Sequence, residues 1–477
     1  MFVAWGKGMV FSSLVFIFLY FAAVLLLYFL TPKRIKNLSL LTVNLVFYAY
    51  GEPVYVFLML GSVLFNFVVA LALEKADRAG GRKLILITSI IINLAALGWF
   101  KYAGFATETL RTVPALSQIP VFSVVLPIGI SFYTFQAMSY VVDVYRKDTK
   151  AQKNIVNCEA SRSFLDFAAY ISLFPQLIAG PIVRYSDVAR QLQSRSVTVD
   201  RFSWGVRMFC IGLAKKVLLA NQFALIWDAV SVDPLGSGAL ICWFGAAAYA
   251  LQIYFDFGGY SDMARGLGAM LGFEFCINFN YPYISTSITE FWRRWHISLS
   301  SWFRDYVYIP LGGSRKGISR TVFNLLVVWM LTGLWHGAGW NFLLWGLYYG
   351  VLLIAEKFLL RSVLQRLPRV INWIITIVLV TVGWVFFASS DIINAARYLR
   401  GMFNFASICS LHAYLGWLPL FAVGCVAATP LGAKLWGRWE NTSMACIAET
   451  LLCLTALILA VSSLVSGSYN PFLYFRF

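Results

Sequence analysis

Charge is what this 477-residue chain has least of: 12% of its residues are charged and 60% are hydrophobic. Soluble domains carry about 25% charged residues, and a chain this apolar, with a mean hydropathy of +0.74, cannot cover itself with polar side chains in water. Chemistry-bearing residues are scarce too. The eight cysteines show no Cys-x-x-Cys and no Cys/His spacing, so neither a disulfide framework nor a zinc site is suggested, and no metal is expected. They read as buried structural thiols. No Gly-x-Ser-x-Gly elbow occurs, which leaves a serine-hydrolase route without support. No soluble domain, low-complexity tract or internal repeat is visible.

What the chain has is long apolar runs. Val10–Leu30, Val54–Leu73, Leu84–Phe100, Trp373–Phe387 and Leu451–Leu464 are nearly free of charge. Crossing a hydrocarbon core takes roughly 20 such residues as a helix, and backbone in lipid must pair internally. The runs are continuous rather than alternating, which argues against a β-barrel. The chain therefore reads as an all-α, multi-pass integral membrane protein with roughly 11–14 membrane segments, some not fully spanning. The first run is too long for a signal peptide, and Thr31-Pro32-Lys33 offers no cleavage site. It reads as a retained helix, with Met9-Val10-Phe11-Ser12-Ser13 as a plausible start of the functional chain.

The net charge of +17 fits basic cytoplasmic loops better than nucleic acid, which is not expected as a partner; membrane lipid is. Lys33–Lys36, Lys75–Lys83 and Arg146–Lys153 then lie on the cytoplasmic side, and the N-terminus outside. Residues 38–73 form a hairpin broken at Gly51-Glu52-Pro53. The whole chain is one polytopic domain: N-terminal helices over 1–120, a core over 121–345 and C-terminal helices over 346–477. Within the core, Val125–Ser131, Leu173–Pro181 and Phe255–Asp262 each carry a proline or paired glycines that break an ideal helix. Broken backbone at membrane depth is tolerated where protein or a wet cavity solvates it.

Three histidines remain. His412 opens a late apolar helix and reads as interfacial. His336 sits in Leu331-Thr-Gly-Leu-Trp-His-Gly-Ala-Gly-Trp-Asn341, and His296 in Glu290-Phe-Trp-Arg-Arg-Trp-His-Ile-Ser-Leu-Ser300. An ionisable group in a membrane segment is a functional candidate by default. The bland reading is a core imidazole bonded to a carbonyl; against it, Gly333, Gly337 and Gly339 thin the wall around His336 as a close-fitting substrate requires. Imidazole titrates near pH 6.5, which suits a general base taking a proton from a hydroxyl that attacks a thioester.

Around the two histidines lie Trp335, Asn341, Arg293, Arg294, Arg304 and Asp305, candidates to line a substrate path or hold a donor. For the arginines the structural reading comes first: Glu290 pairs with Arg293 or Arg294 on one helix face, and Trp292, Trp295, Trp302, Tyr306 and Tyr308 form an interfacial belt. A basic cluster beside a cavity also suits the phosphates of coenzyme A. Asp256 and Asp262 read as caps for backbone freed at Gly258-Gly259.

At these residues the chain resembles the membrane-bound O-acyltransferase superfamily, and within it the bacterial alginate O-acetyltransferase branch. Eight blocks in one order carry the resemblance: Met9–Ser13, Leu126–Gln136, Phe174–Arg184, Tyr254–Asp262, Asn278–Tyr283, Phe291–Ser300, Tyr308–Gly313 and Leu331–Gly337. Gly258 departs from the serine expected there. The resemblance implies a ring of transmembrane helices with re-entrant segments around a tunnel. It implies His336 as the catalytic histidine and His296 as the second signature residue. It also implies acetyl-CoA as a donor substrate with no permanently bound cofactor, and a periplasmic, SGNH-hydrolase-like partner that completes polysaccharide acylation. The location implied is a bacterial inner membrane. Peptidoglycan or another surface polymer is the alternative acceptor. A transporter of an acylated intermediate is the competitor from another class, since broken helices and midplane ionisable residues fit it as well; a scaffold for an export complex is a third, and would need no histidines in the membrane.

Overall fold

The computed structural model describes residues 9–146, 159–406, 412–439, 442–467 and 472–473. The residues before Met9, the suggested start, and the basic residues 147–153 lie outside them. Every regular element among the described residues is helical. Among the described residues, eight helices are long and apolar enough to span a membrane, and Val15–Leu30 and Leu418–Ala427 are shorter apolar helices. The chain is thus a multi-pass membrane protein. The larger count from sequence includes helices too short to meet the length for a full span.

The chain folds as two compact units. The first comprises Met1–Phe209 with Met263–Cys276, the second Cys210–Asp262 with Ile277–Phe477. The first contains α1 (Val15–Leu30), α2 (Lys36–Gly51), α3 (Tyr55–Lys75), α4 (Ala79–Arg111), α5 (Ile130–Arg146) and α6 (Phe164–Ile171). The hairpin of α2 and α3 turns at Glu52-Pro53, as the sequence predicts. Both predicted breaks of this unit also exist. Residues 120–127 carry no regular structure ahead of α5, and α6 stops at Ser172, before the single turn Phe174–Leu177. Asn44, fully buried on α2, stitches the second break. Its amide donates to Ala169 O at 3.3 Å, and its oxygen accepts from Phe174 N at 3.2 Å. The two breaks meet at Gly129. Its φ of +76° suits glycine, and a Cβ there would lie 2.6 Å from Leu177 O.

In lipid the helices of this unit gain little from burying apolar surface, so polar pairs hold them together. Asn66 on α3 and Asn93 on α4 exchange amide hydrogen bonds of 3.0 and 2.9 Å, both side chains being buried. Asn66→Leu strands the partner amide and lowers stability by about 1–2 kcal/mol. Thermal melting of the purified variant checks this, and Asn66→Leu with Asn93→Leu recovers part of the loss.

The second unit takes in most of two long helices, α7 (Val199–Val232) and α8 (Pro234–Met270). Here one prediction fails. The segment Phe255–Asp262 is unbroken helix. Its glycines serve a close crossing instead: a Cβ on Gly259 would sit 2.6 Å from Gly212 O. Asp256 and Asp262 accordingly cap no backbone at Gly258-Gly259; both pair with lysines. Lys215 and Lys216 lie at the start of a π-helical turn, Lys215–Ala220. Lys215 pairs with Asp262 at 2.6 Å, and Lys216 pairs with Asp256, both deeply buried. Asp256 also accepts from Leu473 N at 2.8 Å.

Other helices of this unit include α9 (Ile288–Arg294), α10 (Ile297–Phe303), α11 (Ile318–His336), α12 (Trp340–Leu359), α13 (Arg369–Ala388) and α14 (Ser443–Ser466). α11 and α12 form a hairpin whose backbones touch. A Cβ on Gly333 would sit 2.4 Å from Phe342 O, and one on Gly346 2.3 Å from Trp329 O.

Candidate functional site

His336 is the last residue of α11, and Gly337 leaves the helix in extended backbone. The imidazole therefore stands at the negative end of the α11 dipole, which favours positive charge developing there. It is 3% exposed and packed edge-on against Trp335, Trp345 and Phe387, with centroids 4.9, 5.0 and 5.3 Å away. The glycines beside it do not leave room for a substrate, contrary to the sequence reading. α12 fills that space: a Cβ on Gly337 would meet the Phe342 ring at 2.2 Å, and one on Gly339 would meet Asn341 Oδ1 at 2.5 Å. They are small so that the hairpin can close.

His296 lies between α9 and α10. It is one of two non-glycine residues with positive φ among the described residues, at 44°, a left-handed conformation that an L side chain adopts at a cost and that concentrates at functional sites. The ring is 1% exposed. Its neighbours are the rings of Phe257 at 4.7 Å and Trp335 at 5.9 Å. Nδ1 lies 3.1 Å from Asn278 Oδ1. Burial pushes the imidazole from its ordinary 6.5 down to about 3. Burial thus favours its neutral form.

The two imidazole centroids are 6.4 Å apart at an interplanar angle of 61°. Ring nitrogens are then no nearer than roughly 4 Å, beyond direct hydrogen-bond reach of each other. A buried imidazole can orient a hydroxyl and take its proton.

The sequence candidates divide around this pair. Trp335 is buried against both imidazoles. Asn341 is buried too, but its amide donates to Ser389 O at 2.8 Å, pinning the α11–α12 turn to the end of α13. Arg294 pairs with Glu290 at 3.0 Å. Glu290 also accepts from Thr286 N, while Ser287 Oγ accepts from Glu290 N, so this carboxylate builds the start of α9. Arg304 and Asp305 pair at 2.7 Å, with Asp305 mostly buried and the arginine largely exposed.

Arg293 and Arg304 share a wall of a cavity of about 440 Å³. Ser300, Ser301 and Tyr308 add hydroxyls to it, and it extends to Trp329 and Thr332, one helical turn before His336. The predicted aromatic belt is largely interior instead. Trp292, Trp295 and Trp302 are buried, with Trp292 against Trp329 at 4.6 Å and Trp295 against Trp384 at 4.7 Å. Sequence reasoning missed Asn278, Trp345 and Phe387. The first was visible only as part of the block Asn278–Tyr283; nothing local marked the other two. His412 begins the short helix His412–Leu415.

Residues 116–390 match the membrane-bound O-acyltransferase (MBOAT) family, a span that includes both histidines and the whole cavity. The chain is 45% identical to the probable alginate O-acetylase AlgI of Azotobacter vinelandii, over 83% of this chain and 78% of that one. It is 40% identical to the probable alginate O-acetylase AlgI of Pseudomonas putida, over 98% of this chain and 100% of the other. It is also 32% identical to the peptidoglycan O-acetyltransferase of Helicobacter pylori, over 98% of each.

Proposed function

The chain belongs to the membrane-bound O-acyltransferase family and is an acyltransferase, and from that premise we propose that it takes acetyl from acetyl-CoA at the cytoplasmic face of a bacterial inner membrane and passes it outward for O-acetylation of a polysaccharide. The observation that carries this reading is the buried pair of His336 and His296, with ring centroids 6.4 Å apart. His336 is the general base. The acceptor hydroxyl oxygen attacks the thioester carbonyl carbon and its proton goes to His336. The C–S bond then breaks, and the departing thiolate of coenzyme A takes that proton. No permanently bound cofactor enters the scheme.

The relatives named for alginate are 40–45% identical and the one named for peptidoglycan 32%, so alginate is the favoured polymer and peptidoglycan the second. A periplasmic, SGNH-hydrolase-like partner completes the transfer. The proposal is tested with the chain reconstituted in sealed vesicles, labelled acetyl-CoA on one face and the partner with polysaccharide on the other. Label reaching the polymer supports it. Transfer only when donor and acceptor share a face overturns the transmembrane step.

The 440 Å³ cavity is the donor site in this scheme. Its arginines suit phosphates, which guanidinium groups hold as charge-assisted pairs, and Thr332 brings it within a turn of His336. Arg293→Ala and Arg304→Ala therefore each raise the KM for acetyl-CoA by about tenfold and leave kcat nearly unchanged, since each removes about 1.4 kcal/mol of ground-state binding. Steady-state kinetics at saturating acceptor checks this. A loss of folded protein with unchanged KM would return both residues to a structural role.

A further inference from the structure

The amide that faces His296 determines which of its nitrogens carries the proton. Asn278 is 1% exposed, in an extended segment tied to the His296 turn by two backbone bonds. Asn280 N donates to Arg294 O at 2.9 Å, and Ile297 N donates to Asn278 O at 3.0 Å. The side-chain oxygen is the meeting point of three groups: Ser298 N at 3.2 Å, Ser298 Oγ at 2.9 Å and His296 Nδ1 at 3.1 Å.

The chemistry of the three leaves one arrangement. A backbone N–H can only donate, so the amide atom facing Ser298 N is the oxygen and not the nitrogen. An amide oxygen can only accept. His296 Nδ1 therefore carries a hydrogen; an unprotonated Nδ1 would set lone pair against lone pair in a buried site. Burial keeps the ring neutral, so that hydrogen is the only one on its nitrogens.

We propose that Asn278 is a positioning residue that locks His296 as the Nδ1–H tautomer and so presents Nε2 as a hydrogen-bond acceptor. The inference deepens the acyltransferase reading and rests on it for its catalytic meaning. A neutral Nε2 acceptor has no hydrogen to give to a thioester carbonyl oxygen. It recognises a group that brings a hydrogen of its own, so His296 does not hold the acyl oxygen.

The test uses the full chain labelled with ¹⁵N-histidine in lipid nanodiscs. With three histidines in the sequence, the His296 signals are assigned by their loss in His296→Gln. The expected spectrum has a protonated-type Nδ1 and a lone-pair-type Nε2. A proton on Nε2, or an even mixture of tautomers, overturns the proposal. Asn278→Asp keeps an acceptor at Nδ1 and preserves the tautomer. Asn278→Leu mixes the tautomers and lowers kcat at least about tenfold, with the KM for acetyl-CoA unchanged. Should Asn278→Leu not fold, the wild-type and Asn278→Asp spectra decide alone. The spectrum needs no turnover, so a correct tautomer in a protein that moves no acetyl would sink the acyltransfer reading and leave this one standing.

Discussion

Replacing His336 with alanine stops acyl transfer, lowering the rate at least 10²-fold, the lower end of what a positioned general base contributes. The protein nevertheless inserts and folds. The ring packs edge-on against Trp335, Trp345 and Phe387, so its loss leaves a void lined by aromatic rings. Such a void costs a few kcal/mol at most, in a unit whose core holds many other large aromatic side chains. The measurement is transfer of label from acetyl-CoA by purified His336→Ala, set beside its elution profile and melting curve. A folded variant that still moves label near the wild-type rate removes His336 from the mechanism. His336→Gln separates shape from basicity: it refills much of the void, and is as inactive as alanine if proton transfer is the role.

The second large effect falls on folding. Gly346→Leu destroys the second unit, costing more than the roughly 1–3 kcal/mol usual for overpacking. The obstruction is backbone on both sides, with Trp329 O at 2.3 Å and the Gly333 Cα and N at 3.1 Å from a Cβ, and backbone cannot rotate away as a side chain can. The α11–α12 hairpin must open to admit the new group, and Trp345 beside it leaves the His336 box. A graded series checks the argument. Gly350→Ala meets Trp329 Cβ at 3.2 Å and is mild. Gly61→Ala, with open space around it, is neutral or gains up to about 1 kcal/mol from helix propensity. Equal yields and melting temperatures for Gly61→Ala and Gly346→Leu would refute the close crossing.

The sequence was most legible where lipid imposes simple rules. Continuous apolar runs became helices because nothing else satisfies backbone in hydrocarbon. Proline within a run marked the interruptions at 125–129 and 172–174, because proline removes a donor wherever it sits. Paired glycine is a weaker sign, since glycine both loosens a helix and lets another helix approach. At Gly258-Gly259 and around His336 the second effect won, and only the neighbouring helix reveals which applies. The histidines stood out because they are few. Their spacing did not, since 40 residues separate them and a 6.4 Å approach depends on how α9 and α11 pack. Asn278 was hidden for the same reason: its oxygen finds Ser298 and His296, 20 and 18 residues away.

The paired charges of α7 and α8 bear on how the protein is made. A lysine at the centre of a lone membrane helix costs about 2.5–3.5 kcal/mol on insertion scales, and α7 carries two in succession. Their partners, Asp256 and Asp262, emerge from the ribosome some 40 residues later. Asp233 and a non-helical break at Gly238 (φ 78°) are all that interrupt the chain between the two helices. The nascent α7 is thus a poor tenant of the bilayer until its successor arrives, and the two helices enter as one electrically neutral hairpin.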